Sequence, residues 1–286
     1  MGKNEEKSYY IDVDKAWNDL FARLEKDGLL SDETKNSSST KRIKMIRWLK
    51  VAATICAIAI VSLFFFPQKK DNSMLTLFNK EKSAALVYTL EDGSTVYLAS
   101  NASISYPSAF SQNDRKVEFS GNALFYIAKD EKRPFIIETN GITIEVVGTI
   151  FSVQSSLHSP FELSVKQGKV NVHSRDKQII VPVEAGESIK QNADGINKYK
   201  NENPLIFNRF TDRICFKDEK LINIANIINT LFGSPTIIVE ESLNSKKLTV
   251  TFENDPVEIM METICSAFSL EKINKQDTII IRSSSK

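Results

Sequence analysis

Few residues in this chain are of types and spacings that do chemistry. Asp92-Gly93-Ser94 offers a carboxylate, a flexible backbone and a hydroxyl, a set that serves catalysis or a metal loop. An Asp-Gly pair between two β runs is first a hairpin signal, because glycine supplies the positive φ a tight turn needs. Glu240-Glu241 is a carboxylate pair at a loop edge and reads as a solvated face. His158 and His173 fall in or beside turns, with no Cys, Asp or Glu at ligand spacing, so solvated surface is their expected state. Three cysteines, Cys56, Cys215 and Cys265, include no CxxC pair. Cys215 and Cys265 are close enough in sequence region to be a disulfide or two unpaired thiols, and both readings stay open. There is no G-x-S-x-G elbow and no GxxxxGK[ST] loop. No catalytic, metal or cofactor set emerges, and no small-molecule substrate is expected.

The elements around these residues carry more information. Of 286 residues, 42% are hydrophobic and 26% charged, with a net charge of +1. That balance disfavours a nucleic-acid binder that depends on a global positive field. From Leu49 to Phe66 the chain reads LKVAATICAIAIVSLFFF, with Lys50 its only charge. With Trp48 this makes a transmembrane helix over 48–66, near the ~20 residues a bilayer requires. The run follows a long polar segment and ends in phenylalanines and Pro67, so it is an anchor rather than a cleaved signal. Lys41, Arg42, Lys44, Arg47 and Lys50 precede it, against Lys69 and Lys70 after it. The positive-inside bias predicts a cytoplasmic N-terminus and a C-terminal region outside the cytoplasm.

In the tail, residues 1–47, the stretch DVDKAWNDLFARLEK (12–26) places Val13, Ala16, Trp17, Leu20, Phe21 and Leu24 at three- and four-residue spacing. This predicts an amphipathic helix with Asp12 or Asp14 as cap and Gly28 as stop. Its polar face carries acids and bases together, which favours a protein partner over anionic lipid. A flexible linker is expected over 31–40, ending in SSST.

Beyond a linker at 67–77, residues 78–195 read as an all-β domain. Short alternating or β-branched runs include 85–90, 95–98, 116–119, 135–138, 142–147, 162–165, 169–172 and 178–181. Asp92-Gly93, Gly121-Asn122, Asn140-Gly141, Gln167-Gly168 and Gly186 are the predicted turns. A sandwich, barrel or solenoid fits this spacing. After a linker at 196–210, residues 211–283 read as a small α+β domain in β-α-β-β-α-β order, with helices over 218–232 and 256–268.

LEDGSTVYLASNASISYP (90–107), RKVEFSGNALFYIAKDEKRPFIIET (115–139), IEVVGTIFSV (144–153), VKQGKVNV (165–172) and EAGESI (184–189) together resemble the FecR-type domain of transmembrane signal transducers and anti-sigma regulators. Residues 216–281 are similar to the short N-terminal signalling modules of secretins and TonB-dependent receptors. The resemblance implies an inner-membrane protein, periplasmic on its C-terminal side, that relays the state of an outer-membrane TonB-dependent transporter. The cytoplasmic output is an extracytoplasmic-function (ECF) sigma factor, bound by a segment that DVDKAWNDLFARL resembles. Val13, Trp17, Leu20, Phe21 and Leu24 are the implied contacts. An exposed strand edge of the C-terminal domain is the implied receptor contact, by β-augmentation. A membrane-anchored periplasmic protein-binding scaffold that binds no sigma factor also fits a tail with one helix.

Two positions take meaning from the resemblance. Gly121-Asn122-Ala123 stands where the family usually has Gly-Glu-Ala, so the acid that might have been functional is absent. In some relatives the chain self-cleaves at a Gly-Thr pair matching Gly148-Thr149, the Thr hydroxyl attacking the preceding carbonyl. Gly148 reads equally as a strand glycine that permits close backbone approach. The tryptophan that often precedes the C-terminal domain in the family is missing, with Phe207 or Phe210 in its place.

Overall fold

A computed structural model describes residues 12–29, 73–80, 82, 84–156, 159–174, 180–192, 195–201 and 203–284. The chain divides into two units, Met1–Lys69 and Lys70–Lys286. The segment 48–66 lies outside the described residues, as do the linker at 31–40 and His158. Among the described residues no helix is long and apolar enough to cross a membrane.

In the first unit, helix α1 spans Val13–Lys26. Its start follows the predicted cap: the Asp12 carboxylate accepts from the Lys15 N–H at 3.1 Å, satisfying a donor that the first turn leaves open. Asp14 lies in the first turn and Arg23 and Lys26 in the last, each complementing the helix dipole. Gly28, at φ +65°, ends it. The Gly28 and Leu29 N–H groups donate back to the Glu25 and Leu24 carbonyls, the paired bonds of a Schellman stop.

The second unit begins with β1 (Met74–Phe78), β2 (Ala85–Thr89), β3 (Thr95–Leu98), β4 (Ser103–Pro107) and the long β5 (Arg115–Tyr126). Then come β6 (Phe135–Glu138), β7 (Ile142–Val146), β8 (Ile150–Ser156) and β9 (Ser159–Gln167). β10 (Lys169–Ser174), β11 (Ile180–Glu184), β12 (Glu187–Asn192) and β13 (Gly195–Lys200) complete the β-rich part. The predicted turns at Asp92-Gly93, Asn140-Gly141, Gln167-Gly168 and Gly186 each fall between strands. Gly121-Asn122 does not. β5 runs through it, because Gly121 at φ +112° lets the strand bend where a Cβ would come within 2.6 Å of Ala102 Cα.

That bend lets one strand serve two layers. The first half of β5 pairs with β4 and, in parallel, with β6; the second half pairs with β3 and β8. One core lies between the layers, with Ile104, Val117, Ile137, Ile144 and Val172 from one side and Val96, Phe125, Phe151, Leu163 and Ile189 from the other. The Phe125 ring stacks on Phe151 and meets Phe119 edge-on, each pair at 5.3 Å. Burying each such side chain contributes roughly 1.5–3 kcal/mol relative to exposure.

The segments read as linkers hold structure of their own. β1 begins inside 67–77 and pairs with β4. β13 and a 3-10 turn over Pro204–Phe210 occupy 196–210, with Phe207 and Phe210 buried. Polar alternation hid β13, whose side chains are mostly exposed.

The remaining elements are β14 (Arg213–Lys220), α2 (Leu221–Phe232), β15 (Thr236–Val239), β16 (Lys247–Glu253), α3 (Val257–Phe268), β17 (Leu270–Lys275) and β18 (Thr278–Ser283). The order is β-α-β-β-α-β-β. β17 was not predicted, since LEKINK places charges where a strand signal would need apolar alternation. β14 adds in parallel to β2, and β16 lies antiparallel outside β14 at the end of the path β11-β10-β7-β6-β5-β3-β2-β14-β16. β15, β18 and β17 form a separate sheet in that order. β3 is buried at all four residues because both its faces are covered. Val96 and Leu98 enter the first core, while Tyr97 enters a second one with Phe210, Phe216, Ile228 and Met261.

Candidate functional site

The predicted contact residues of the tail come together on α1. Val13, Trp17, Leu20 and Phe21 are 45–59% exposed, and Leu24 is partly covered. The Trp17 and Phe21 rings lie 6.2 Å apart, one turn from each other along the stripe. No residue of α1 is buried. A capped helix that presents two aromatic and three aliphatic side chains on one face fits a groove on a protein partner.

A second set of candidate contacts lies on strand edges of the C-terminal elements. Among the described strands β15 pairs only with β18, through even-numbered residues: the Thr236 and Glu240 N–H groups donate to Asp277 and Ile281. Ile237 therefore points its N–H and C=O outward, and the Asn229 side chain takes both. Its Oδ1 accepts from the Ile237 N–H at 2.7 Å and its Nδ2 donates to the Ile237 carbonyl at 2.9 Å. An amide side chain from α2 thus blunts the β15 edge against another strand. β16 and β17 keep an unpaired side among the described strands.

Gly148 and Thr149 sit between β7 and β8. Gly148 has φ +156°, and a Cβ there would lie 2.9 Å from Lys129 Cα. Thr149 is buried, and its hydroxyl donates to the Lys169 carbonyl at 3.0 Å. A carbonyl holds that proton but cannot remove it, so this geometry does not activate the hydroxyl. The pair borders a cleft of about 430 Å³ whose walls include Lys129, Tyr97, Tyr126, Asn223 and Thr230. Close packing is the role the geometry supports.

Asp92 is in the turn the sequence predicts, and it also has a role that residue spacing did not reveal. Its Oδ2 accepts from Arg115 Nη1 at 2.7 Å, with both side chains almost wholly buried. Ser94 donates to Asp92 through its N–H and its hydroxyl, and Arg115 donates to the carbonyls of Ala128 and Arg133. The guanidinium also lies over the Phe135 ring. Glu219 is a second buried carboxylate that sequence reading missed. It accepts from the Thr89 and Lys220 N–H groups and from Asn223 Nδ2, tying β2 to the start of α2.

The remaining chemistry-bearing residues among the described ones lie in packed or hydrogen-bonded surroundings. Cys215 and Cys265 are buried free thiols, and burial raises the Cys265 pKa. His173 is half-buried rather than fully solvated, with Nε2 3.4 Å from Glu145 Oε2 on the neighbouring strand. Glu240 accepts from the Ser283 N–H and the Ser242 hydroxyl, which hold its carboxyl below the usual range. No group of three or more metal-ligating side chains occurs among the described residues.

The first unit presents an apolar helical stripe, and the second is a two-layer β structure with α+β elements that leave strand edges open among the described residues. Residues 79–171 match the family model described as FecR protein, so the β-rich part carries a FecR-type domain. Two crystal structures of a proposed anti-sigma factor from Parabacteroides distasonis ATCC 8503 match part of this chain. One, at 2.50 Å, has 20% identity and a TM-score of 0.46; the other, at 1.65 Å, has 21% and 0.44. Each covers 74% of this chain and 100% of its own. No curated protein matches the chain.

Proposed function

We propose that this protein is a single-pass inner-membrane signal transducer and anti-sigma regulator. It relays the state of an outer-membrane TonB-dependent transporter to a cytoplasmic ECF sigma factor. The span is 48–66, the tail of 1–47 is cytoplasmic and the FecR-type region is periplasmic. Binding does the work, without turnover of a substrate.

The observation that carries this reading is the stripe Val13, Trp17, Leu20, Phe21 and Leu24, set out on a helix capped at both ends and exposed to a partner. The FecR-type match over 79–171 supports the class of signal. On the other side of the membrane, the receptor's signalling module adds to the outer edge of β17. That edge is preferred because Asn229 occupies the one at β15.

Co-purification of the detergent-solubilised full chain with the host's ECF sigma factors tests the reading. The wild-type chain retains one of them, and Trp17→Ala releases it. Equal loss of binding from both would leave a periplasmic scaffold as the function.

A further inference from the structure

The outer edge of β16 carries a self-complementary pattern. Within the β14–β16 pair, the Leu221 N–H donates to Lys246 and the Asn254 N–H to Asp212. The register keeps even-numbered β16 residues facing β14 on both sides of the bulge, which inserts its extra residue in β14. The odd residues Lys247, Thr249, Thr251 and Glu253 therefore aim their N–H and C=O groups away from the sheet. Asp255 accepts from the Glu253 N–H at 3.1 Å and so closes the far end of this free run.

The same four residues are exposed. Their side chains read Lys, Thr, Thr, Glu, an order that inverts its charge when the strand is turned end over end. In an antiparallel pair of two copies about a two-fold axis at Val250, Lys247 stands opposite Glu253 of the second copy, and Thr249 opposite Thr251. Thr249 and Thr251 are then hydrogen-bonded partners, the Lys247 N–H donates to the Glu253 carbonyl of the second copy while the Glu253 N–H stays on Asp255, and the two Val250 residues are a non-hydrogen-bonded pair, as the backbone directions require. Charges continue the match. Arg213 pairs with Glu253 and Lys247 with Asp218 within one copy. Across the axis the row becomes Arg213, Glu253, Lys247, Asp218, alternating in sign. Opposite-charge and Thr–Thr cross-strand pairs each stabilise such a junction, and like charges opposed destabilise it. On the other side of the strand Leu248, Val250 and Phe252 lie over the second core, so Leu248 meets Phe252 and Val250 meets Val250.

We propose that two copies of this chain join edge to edge through β16, in this register, continuing one sheet across a two-fold axis. The contact is isologous and uses no residue of β17 or α1.

Cross-linking in the full chain tests this. Val250→Cys is placed in a Cys56→Ser background, where Cys215 and Cys265 are buried. Directly opposed residues of a non-hydrogen-bonded pair have Cα atoms roughly 4.5 Å apart, within disulfide reach. Mild oxidation therefore yields a disulfide-linked dimer. Lys247→Glu or Glu253→Lys alone opposes like charges twice and weakens the association about tenfold. The double exchange Lys247→Glu/Glu253→Lys restores it. Within one copy that exchange sets a carboxylate at position 247 beside Asp218 and an ammonium at position 253 beside Arg213, so a purely intramolecular role predicts further loss. The proposal is overturned by cross-linking no higher than the background, by a double exchange that fails to restore it, or by a disulfide from the introduced thiol to a different protein.

Discussion

Arg115 Nη1 lies 2.7 Å from Asp92 Oδ2, and both side chains are almost wholly buried. The pair joins the β2–β3 turn to the first residue of β5, and through the Ala128 and Arg133 carbonyls to the loop after it. Removing one partner leaves a buried charge uncompensated, which typically costs about 3–5 kcal/mol. Asp92→Ala should lower the thermal midpoint of the full chain sharply. Arg115→Met/Asp92→Ala, which removes both charges, should recover part of that loss. A midpoint for Asp92→Ala within a degree or two of wild type would show that the pair does not hold the turn.

Gly148 is constrained by φ +156° and by the backbone of Lys129. Gly148→Ala should destabilise the fold by more than about 1 kcal/mol, since Ala at a positive φ is strained and here also collides. Thr149→Ala loses one hydrogen bond, worth about 1 kcal/mol, and should fold. Blots of wild type and Thr149→Ala should show the same intact band. Two fragments from wild type alone would demonstrate hydroxyl attack at this junction.

Tyrosines set the alkaline limit. Burial pushes the Tyr97, Tyr106 and Tyr126 hydroxyls above the usual value near 10, Tyr97 well above it. The Tyr88 hydroxyl adds to the effect at Tyr106 and the charge of Tyr126 to that at Tyr97. Below pH ~10 all three are neutral in both folded and unfolded chains and contribute no pH dependence. Above it the unfolded chain releases protons that the folded chain keeps, so stability falls as pH rises. Tyrosinate absorbance from Tyr97, Tyr106 and Tyr126 should appear together as the fold opens. Independent ionisation of all tyrosines near pH ~10, with the near-ultraviolet dichroism intact, would contradict this.

Periodicity and turn chemistry made much of the fold legible. Val13, Trp17 and Leu20 at helical spacing gave α1 and its cap, and Asp92-Gly93 and Asn140-Gly141 gave hairpins. Polar residues with a buried role gave no such signal. Asn79 donates to the Ala84 and Leu98 carbonyls from inside the protein, yet its neighbours in sequence look like a loop. Arg115 and Glu219 look like ordinary surface charges until the strands that enclose them are in place. Strand order is non-local as well. Nothing between residues 85 and 89 announces that β14 will add beside β2, which builds the second core and frees the β16 edge.

The α1 stripe is the proposed sigma-factor contact, and Trp17, 56% exposed, is its aromatic reporter. Titrating the ECF sigma factor into the detergent-solubilised full chain by calorimetry measures this binding directly. Saturable binding is predicted for wild type, with Trp17→Ala costing about 2 kcal/mol or more, roughly thirtyfold in Kd, as expected for an aromatic anchor. Equal affinities for wild type and Trp17→Ala, or no heat of binding with any such sigma factor, would contradict it.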